Sequence, residues 1–329
     1  MLSSDLAHHN FAAAFNAVSD TDVVAVFDHG EETRAEFASF WRDVWGEVPA
    51  YGDYERMLSE VKPDLVCIAT RQTMHADQIE AAVASGVRGI LCDKPLATSL
   101  GEMERIIAAC AEVPLAFGLD RRWSEPHLHI RKNMEAWVGT ITGAITLGLN
   151  NTINHGCHVY DALLGLLGDP EPVWVSGLLD DSPSDNARPS LDPSSRAQVG
   201  FDNGLVAHIT MDGGKGYHFD ILGDKGRLSV RTDGQEVYLW RADANGIETL
   251  KVPVKTSRWP EGPEIVSDLA DSVRNGGRTA CDIEQARRAT SIGFAIHHSS
   301  NNGGARVDIA DVDRSLRVPS NPWGNEPPA

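Results

Sequence analysis

The chain has 329 residues, with 47 Asp+Glu against 29 Lys+Arg and a formal net charge of −18 at pH 7. This excess of negative charge argues against nucleic acid or an anionic membrane as partner, because both are polyanions. Five scattered cysteines (Cys67, Cys92, Cys110, Cys157, Cys281) with no Cys-x-x-Cys pair suggest neither a disulfide framework nor a zinc site.

The length suits two domains of about 150 residues each. No run of about 18 apolar residues exists, and "MLSSDLAHHN" lacks the basic and apolar regions of a signal peptide, so a reducing, cytoplasmic compartment is expected.

Up to about residue 120 the pattern alternates helices and apolar strands. "FAAAFNAV" from Phe11 reads as a helix, "DVVAVFD" ending at Asp28 as a buried strand, and "EETRAEFASFWRDVW" from Glu31 as an amphipathic helix. There follow "YERMLSE" (helix), "DLVCIAT" (strand), "DQIEAAVASG" (helix), "VRGILC" (strand), "LGEMERIIAACAE" (helix) and "PLAFGL" (strand). Continuous apolar strands separated by helices predict a Rossmann-like, doubly wound parallel sheet over residues 1–120. Ligands bind such sheets beyond the carboxyl ends of the strands. Asp28, Thr70 to His75, Lys94 and Asp120 to Arg122 all stand at those ends.

From residue 121 to 329 a second α+β domain is predicted. Strand runs in "ITGAITLGL", "VWVSGLL", "RAQVGFDNGLVAHITM", "YHFDILGDKGRLSV" and "QEVYLWRADANGIETLKV" are joined by turns, Asn203-Gly204 and Asn245-Gly246 among them. They predict a mostly antiparallel open sheet. "EIVSDLADSVRNG" and "DIEQARRATSIGFAIHHSSNNG" read as two closing helices, the second stopped by Gly303-Gly304. The tail "RVPSNPWGNEPPA" is Pro-rich and expected to be irregular. One open face of the sheet is expected to bury itself in a homo-oligomer, a dimer or a tetramer.

The order of "VVAVFD", "IATRQTMHADQIEAAVASG", "CDKPLATSL", "GLDRRW", "NHGCHVYDALLGLLG", "ILGDKGRLSV" and the final helix resembles the Gfo/Idh/MocA family of NAD(P)-dependent oxidoreductases, which act on sugars, inositols and related polyols. The resemblance spans about Asn10 to Ile309. "CDKP" takes the place of the family's Glu-Lys-Pro signature, with Asp93 for the glutamate. It implies hydride transfer between NAD and a carbinol of a sugar or polyol. The family's opening strand and G-x-G-x-x-G turn, which holds the pyrophosphate at a helix N-terminus, are absent. A clipped start is the preferred explanation. The alternative is a non-catalytic sugar-binding or oligomer-forming paralogue with a vestigial nucleotide domain. "GGKG" (Gly213 to Gly216) lies among hairpins and reads as a turn.

On that framework the residues take roles. Asp28 can accept from the adenosine ribose hydroxyls and repel a 2′-phosphate. No arginine follows it immediately, so NAD is expected over NADP. Lys94 at a strand end can bond the substrate hydroxyl and stabilise alkoxide character, with Pro95 fixing the turn that presents it. The resemblance implies a cis Lys94–Pro95 bond and places Thr70, Arg71, His75, Asp93, Lys94 and Pro95 beside the cofactor; His75 is equally a candidate helix cap. Asn154, His158 and Asp161 are spaced i, i+4 and i, i+7, one face of a helix. His158 is the natural general base, since imidazole titrates near neutral pH. Asn154 stands where the family usually has aspartate, so it keeps a hydrogen-bonding group and removes a charge. His155 and Asp161 are expected to line or support the substrate pocket, as are Arg122 and Trp123 at the crossover between halves. An arginine there, Arg121 or Arg122, could bind a carboxylate or hydroxyl-rich substrate or equally pair structurally across the domain junction. Cys157 beside His158 points elsewhere on a helix, so a thiol–imidazole dyad is not expected. His8-His9 and His297-His298 are expected to be solvated or packed, and no metal site is predicted.

Overall fold

The computed structural model describes residues 11–180, 192–211, 216–243, 246–255 and 261–318. Its elements run α1 (Phe11–Ala17), β1 (Val26–Phe27), α2 (Glu31–Trp45), β2 (Ala50–Tyr51), α3 (Tyr54–Val61), β3 (Leu65–Ile68), α4 (His75–Ala84), β4 (Gly89–Cys92), α5 (Leu100–Ala109) and β5 (Leu115–Phe117). They continue with α6 (Glu125–Val138), β6 (Ile141–Gly148), α7 (Gly156–Leu167), β7 (Pro172–Leu179), β8 (Ser195–Phe201), β9 (Val206–Met211), β10 (His218–Gly223), β11 (Gly226–Arg231) and β12 (Glu236–Asp243). β13 (Gly246–Val252), α8 (Gly262–Asn275), α9 (Ile283–Asn301) and β14 (Val307–Asp308) complete the chain. Residues 1–10, Gly213 to Lys215, Asn245 and nearly all of the Pro-rich tail, and with them His8 and His9, lie outside the described residues.

The molecule divides into two compact units. One takes in the described residues of Met1–Leu96, Glu102–Trp123 and Arg258–Ile283. The other takes in those of Ala97–Gly101, Ser124–Ser257 and Glu284–Ala329.

In the first unit β3, β4 and β5 form a parallel sheet in that order, Ile68 opposite Cys92 and Cys92 opposite Phe117. Bonds from Asp93 N to Ile68 O (2.8 Å) and from Gly118 N to Cys92 O (2.9 Å) carry the ladder one residue beyond the strands. Ile90, Leu91, Cys92, Ala116 and Phe117 are fully buried, each large apolar side chain contributing roughly 1.5–3 kcal/mol on leaving water. The apolar stripe of α8 (Ile265, Val266, Leu269) is buried, and α8 packs on β4 and β5 and also on α1. At Gly89 a Cβ would lie 2.6 Å from Val273 Cγ2 and 3.2 Å from Leu269 Cδ1, so the close approach requires glycine. α8 thus follows the second unit's strands in sequence and belongs to the first unit in space.

The buried strand expected at Asp22–Asp28 is a correction. Among the described residues only Val26 and Phe27 of it pair, with the unforeseen β2, and Val24 is 51% exposed. β1 and β2 form a separate two-stranded sheet.

The second unit is a nine-stranded sheet in the order β13-β12-β11-β10-β6-β9-β8-β7-β14, antiparallel except for the β6–β9 pair. α6 and α7 pack on one face. On β6 the burial alternates, and Ile145 and Leu147 stand exposed on the other face. α6 escaped the sequence reading, although Pro126 in its first turn and Gly139 at φ 74° mark its ends. α9 stops where expected, with Gly303 and Gly304 in the left-handed region.

Glu171 ties the start of β7 to α9. Arg287 donates to both of its carboxylate oxygens at 2.7 Å, and Arg288 Nε to one at 2.9 Å. Burial alone would raise the Glu171 pKa, but the two guanidinium groups hold it below the usual carboxylate range. A depressed folded-state pKa stabilises the fold above the unfolded value and loses that contribution as pH falls through the folded one. Glu171→Gln should therefore cost about 1 kcal/mol at pH 7, a half-screened network. Urea titrations of the two proteins should converge as the pH falls through the depressed Glu171 pKa, below the usual carboxylate range.

Candidate active site

The first unit gathers its chemistry at the carboxyl ends of its parallel strands. Asp28, just past β1, is half-buried, and its Oδ1 accepts from Gly30 N at 2.7 Å. Arg34 Nη1 donates to Asp28 O (2.6 Å) and His29 O (3.0 Å). An arginine therefore does stand at this acid, brought there by the first turn of α2, although none follows it immediately in sequence.

The loop after β3 holds Thr70, whose Oγ1 donates to Gln78 Oε1 at 2.5 Å, and Arg71, which precedes a 3-10 turn at Gln72–Met74. His75 was expected beside the cofactor or as a cap, and the structure gives it another place. It opens α4, fully buried, with Nδ1 3.2 Å from Leu96 O and Nε2 3.1 Å from Thr70 O. Cys92 Sγ lies 3.5 Å from Nδ1. Burial lowers the His75 pKa, against the pull of the neighbouring carbonyls and Asp93. The ring joins the loop after β3 to the loop after β4 and leaves no surface for a ligand. Burial also pushes the Cys92 thiol well up, so it is no nucleophile.

Lys94 is half-buried on the loop that closes β4. Its backbone N–H donates to Asp93 Oδ1 at 2.8 Å, and the Lys94–Pro95 peptide bond is cis. Asp93 is thus spent in part on shaping this turn.

At Asp120–Arg122 all three side chains are buried, with Arg121 Nη1 donating to Asp120 Oδ1 at 2.9 Å. Trp123, expected at the substrate, is buried with its indole N–H donated to Asp268 Oδ2 at 2.9 Å. Asp268 also accepts from Ala280 N at 2.7 Å, so the indole's polar atom serves α8. Arg122, also expected at the substrate, is buried to the same degree as a core residue.

In the second unit the segment Asn151–His158 leads from β6 into α7. Asn151 takes φ 74°, a conformation asparagine tolerates, and Gly156 N donates to Asn151 O at 3.1 Å. Asn154 and His158 are buried side chains at the start of α7, and His158 faces Tyr217 with ring centroids 6.0 Å apart. His155 is half-buried, its Nδ1 2.7 Å from Asn150 O. Asp161 is almost wholly buried, which suits support over ligand contact. Cys157 Sγ donates to Asn154 O at 3.3 Å, so the thiol serves the helix start. His297, one of the pair expected to be solvated or packed, is buried against Asp192.

Two residues escaped the sequence reading. Gln72 is buried, and its Nε2 has no hydrogen-bond partner among the described residues. A buried amide donor left over in a strand-end loop calls for acceptor oxygens of the kind a dinucleotide's ribose and phosphates carry. With Asp28 as an acceptor past β1, Thr70 after β3 and Lys94 after β4, the set of donors and acceptors fits NAD. Gln72 was legible only as one more polar residue after Thr70. The other is Asp192, whose position before β8 gave no hint of its contacts. Among the described residues no three His, Cys, Asp or Glu side chains cluster as a metal site, and no helix is long and apolar enough to cross a membrane.

Residues 5–119 match the family model for the oxidoreductase family, NAD-binding Rossmann fold, and residues 150–309 match that for the oxidoreductase family, C-terminal alpha/beta domain. A D-apiose dehydrogenase from Paraburkholderia graminis is 34% identical over 117 residues, 35% of this chain and 30% of that protein. A trans-1,2-dihydrobenzene-1,2-diol dehydrogenase from Mus musculus is 26% identical over 127 residues, 38% of this chain and 36% of that protein. The match thus spans about a third of the length of these relatives. Among solved structures, levoglucosan dehydrogenase in complex with NADH and levoglucosan superposes with a TM-score of 0.74 at 18% identity, covering 91% of this chain and 94% of that one. An oxidoreductase from Agrobacterium radiobacter in complex with NAD+, L-tartaric acid and magnesium gives 0.75 at 19%, covering 92% and 95%. Both are similar in fold. On these matches and the strand-end chemistry, the chain belongs to the Gfo/Idh/MocA family of oxidoreductases, with a Rossmann NAD-binding domain followed by the family's C-terminal α/β domain.

Proposed function

We propose that the protein moves a hydride between NAD and a carbinol of a sugar, inositol or related polyol. NAD, when bound, supplies the hydride acceptor. Lys94 is the cation that polarises the substrate hydroxyl and stabilises its alkoxide character. His158 takes the hydroxyl proton as the C–H bond breaks, and Asn154 orients the hydroxyl by hydrogen bonding. Asp28 accepts from the adenosine ribose, and Thr70 and Gln72 face the dinucleotide from the loop after β3. His155 contributes to sugar recognition. The observation that carries this reading is Lys94 on the loop closing β4, one strand from Thr70 and Gln72 in a parallel sheet whose strand ends bind ligands. The relatives' sugar substrates support the substrate class. Leu178, Ile145 and Leu147, exposed on the open face of the second unit's sheet, support a homo-oligomer, and we place the protein in the cytoplasm.

The separation of β1–β2 from β3–β4–β5 and Asn154 in place of aspartate favour a second reading, a sugar-binding paralogue without turnover. Energy transfer from the eight tryptophans to nicotinamide decides between them. NADH should bind saturably, and NADH should accumulate from NAD with at least one member of a panel of aldoses, inositols and sugar alcohols. A folded chain that binds no NADH but binds a sugar establishes the second reading.

A further inference from the structure

Asp192 lies just ahead of β8 and is 1% exposed. Its carboxylate accepts from Ile153 N at 2.9 and 3.1 Å, one bond to each oxygen, and from Asn154 N at 2.8 Å. His297 Nε2, on α9, lies 3.3 Å from Asp192 Oδ1. The same stretch of backbone continues the stitching. Asp192 O accepts from Asn151 Nδ2 at 2.6 Å, and Pro193 O accepts from Thr152 through both N (3.0 Å) and Oγ1 (2.6 Å). Tyr160, in the first turns of α7, donates its hydroxyl to Thr152 O at 2.8 Å.

The N–H groups ahead of a helix have no partner within it. Here a buried acid takes two backbone N–H groups of the turn that precedes the α7 N-cap His155. The turn it grips is the one that carries Asn154, and it runs into α7 through bonds from Cys157 N to Ile153 O (3.1 Å) and from His158 N to His155 O (3.1 Å). Displacing Ile153 and Asn154 therefore displaces the frame from which the His158 ring projects.

We propose that Asp192, braced by His297, is a positioning residue that holds the Asn151–His155 turn so that Asn154 and His158 keep their working orientation. This rests on the roles given above to Asn154 and His158. In this role Asp192 acts through the backbone it holds, the N–H groups of Ile153 and Asn154, rather than on the reacting atoms.

Asp192→Asn tests it, because the amide keeps the shape but offers one acceptor oxygen where the carboxylate offers two. One donor among Ile153 N, Asn154 N and His297 Nε2 then meets an NH2 group. In the full-length protein labelled with 15N-histidine, the His158 ring signals, assigned through His158→Gln, should shift or broaden in Asp192→Asn. Turnover should fall about 10²-fold, the effect of a misplaced catalytic group, while KM for NAD stays within about threefold because the first unit holds the cofactor. Unchanged His158 signals and turnover, with only a lower melting temperature, would reduce Asp192 to a structural residue and overturn the proposal. If Asp192→Asn does not fold, His297→Gln is read the same way: the His158 signals must still move, in the same direction and less, and their constancy overturns the proposal. A parent protein that turns over no sugar or polyol refutes the dehydrogenase reading alone, since the ring signals report on Asp192 without substrate.

Discussion

Lys94→Met should lower kcat by about 10³-fold while leaving NADH binding within a few-fold of the parent. Methionine keeps the apolar stem that a half-buried lysine packs and removes only the ammonium, so the substitution subtracts a charge and little packing. A donor aimed at developing negative charge is worth about 10²–10³ in kcat, and at 1.36 kcal/mol per tenfold a 10³-fold loss is about 4 kcal/mol of transition-state stabilisation. The Lys94 turn is set by Asp93, which accepts from Lys94 N, and by His75, which bonds Leu96 O behind it. Neither depends on the lysine side chain, so the fold around residue 94 should survive. Steady-state kinetics with circular dichroism and NADH titration check this. Turnover within tenfold of the parent removes Lys94 from the mechanism.

His158→Gln carries the second large effect, a fall in kcat/KM of about 10²–10⁴, the range for loss of a positioned general base. Glutamine can still hydrogen-bond a hydroxyl, so KM should change less than kcat. The parent rate should decline toward acid as the base takes up a proton, and that limb should be missing from the variant's pH profile. The surrounding structure separates this from simple unfolding. His158 sits at the mouth of α7 with Tyr217 as ring neighbour, and the helix behind it is anchored by the fully buried Val159, Tyr160, Leu163 and Leu164. A variant that keeps the parent's acid limb identifies another group as the base.

Local rules explain how much was legible. The strands β3, β4 and β5 are short, continuous apolar runs ended by polar residues, and such runs between helices mean a buried parallel sheet wherever they occur. Lys94 and the Asn154–His158 spacing could be picked out because a lysine at the end of such a strand, and an amide and an imidazole four residues apart, are unusual locally. "DVVAVFD" obeyed the same apolar pattern and was misjudged, since burial of a strand depends on neighbours that its own residues do not specify. His75 and Trp123 were misjudged for a related reason. Each has a polar atom suited to a ligand, and each spends it on a partner from a distant stretch: Leu96 for His75, and Asp268, 145 residues away, for Trp123.

By itself the sequence determined the parallel and antiparallel sheets of the two family domains and the strand ends at which Lys94 stands, because periodicity and turn chemistry act over a few residues. Only the tertiary structure decided that α8 returns to cover β4 and β5, that Arg34 folds back over Asp28, that Gln72 keeps an unused buried donor, and that Asp192 and His297 stand behind the turn bearing Asn154. These depend on which distant groups meet in a dry interior, where most buried donors and acceptors are paired, and no local pattern in the chain encodes that choice.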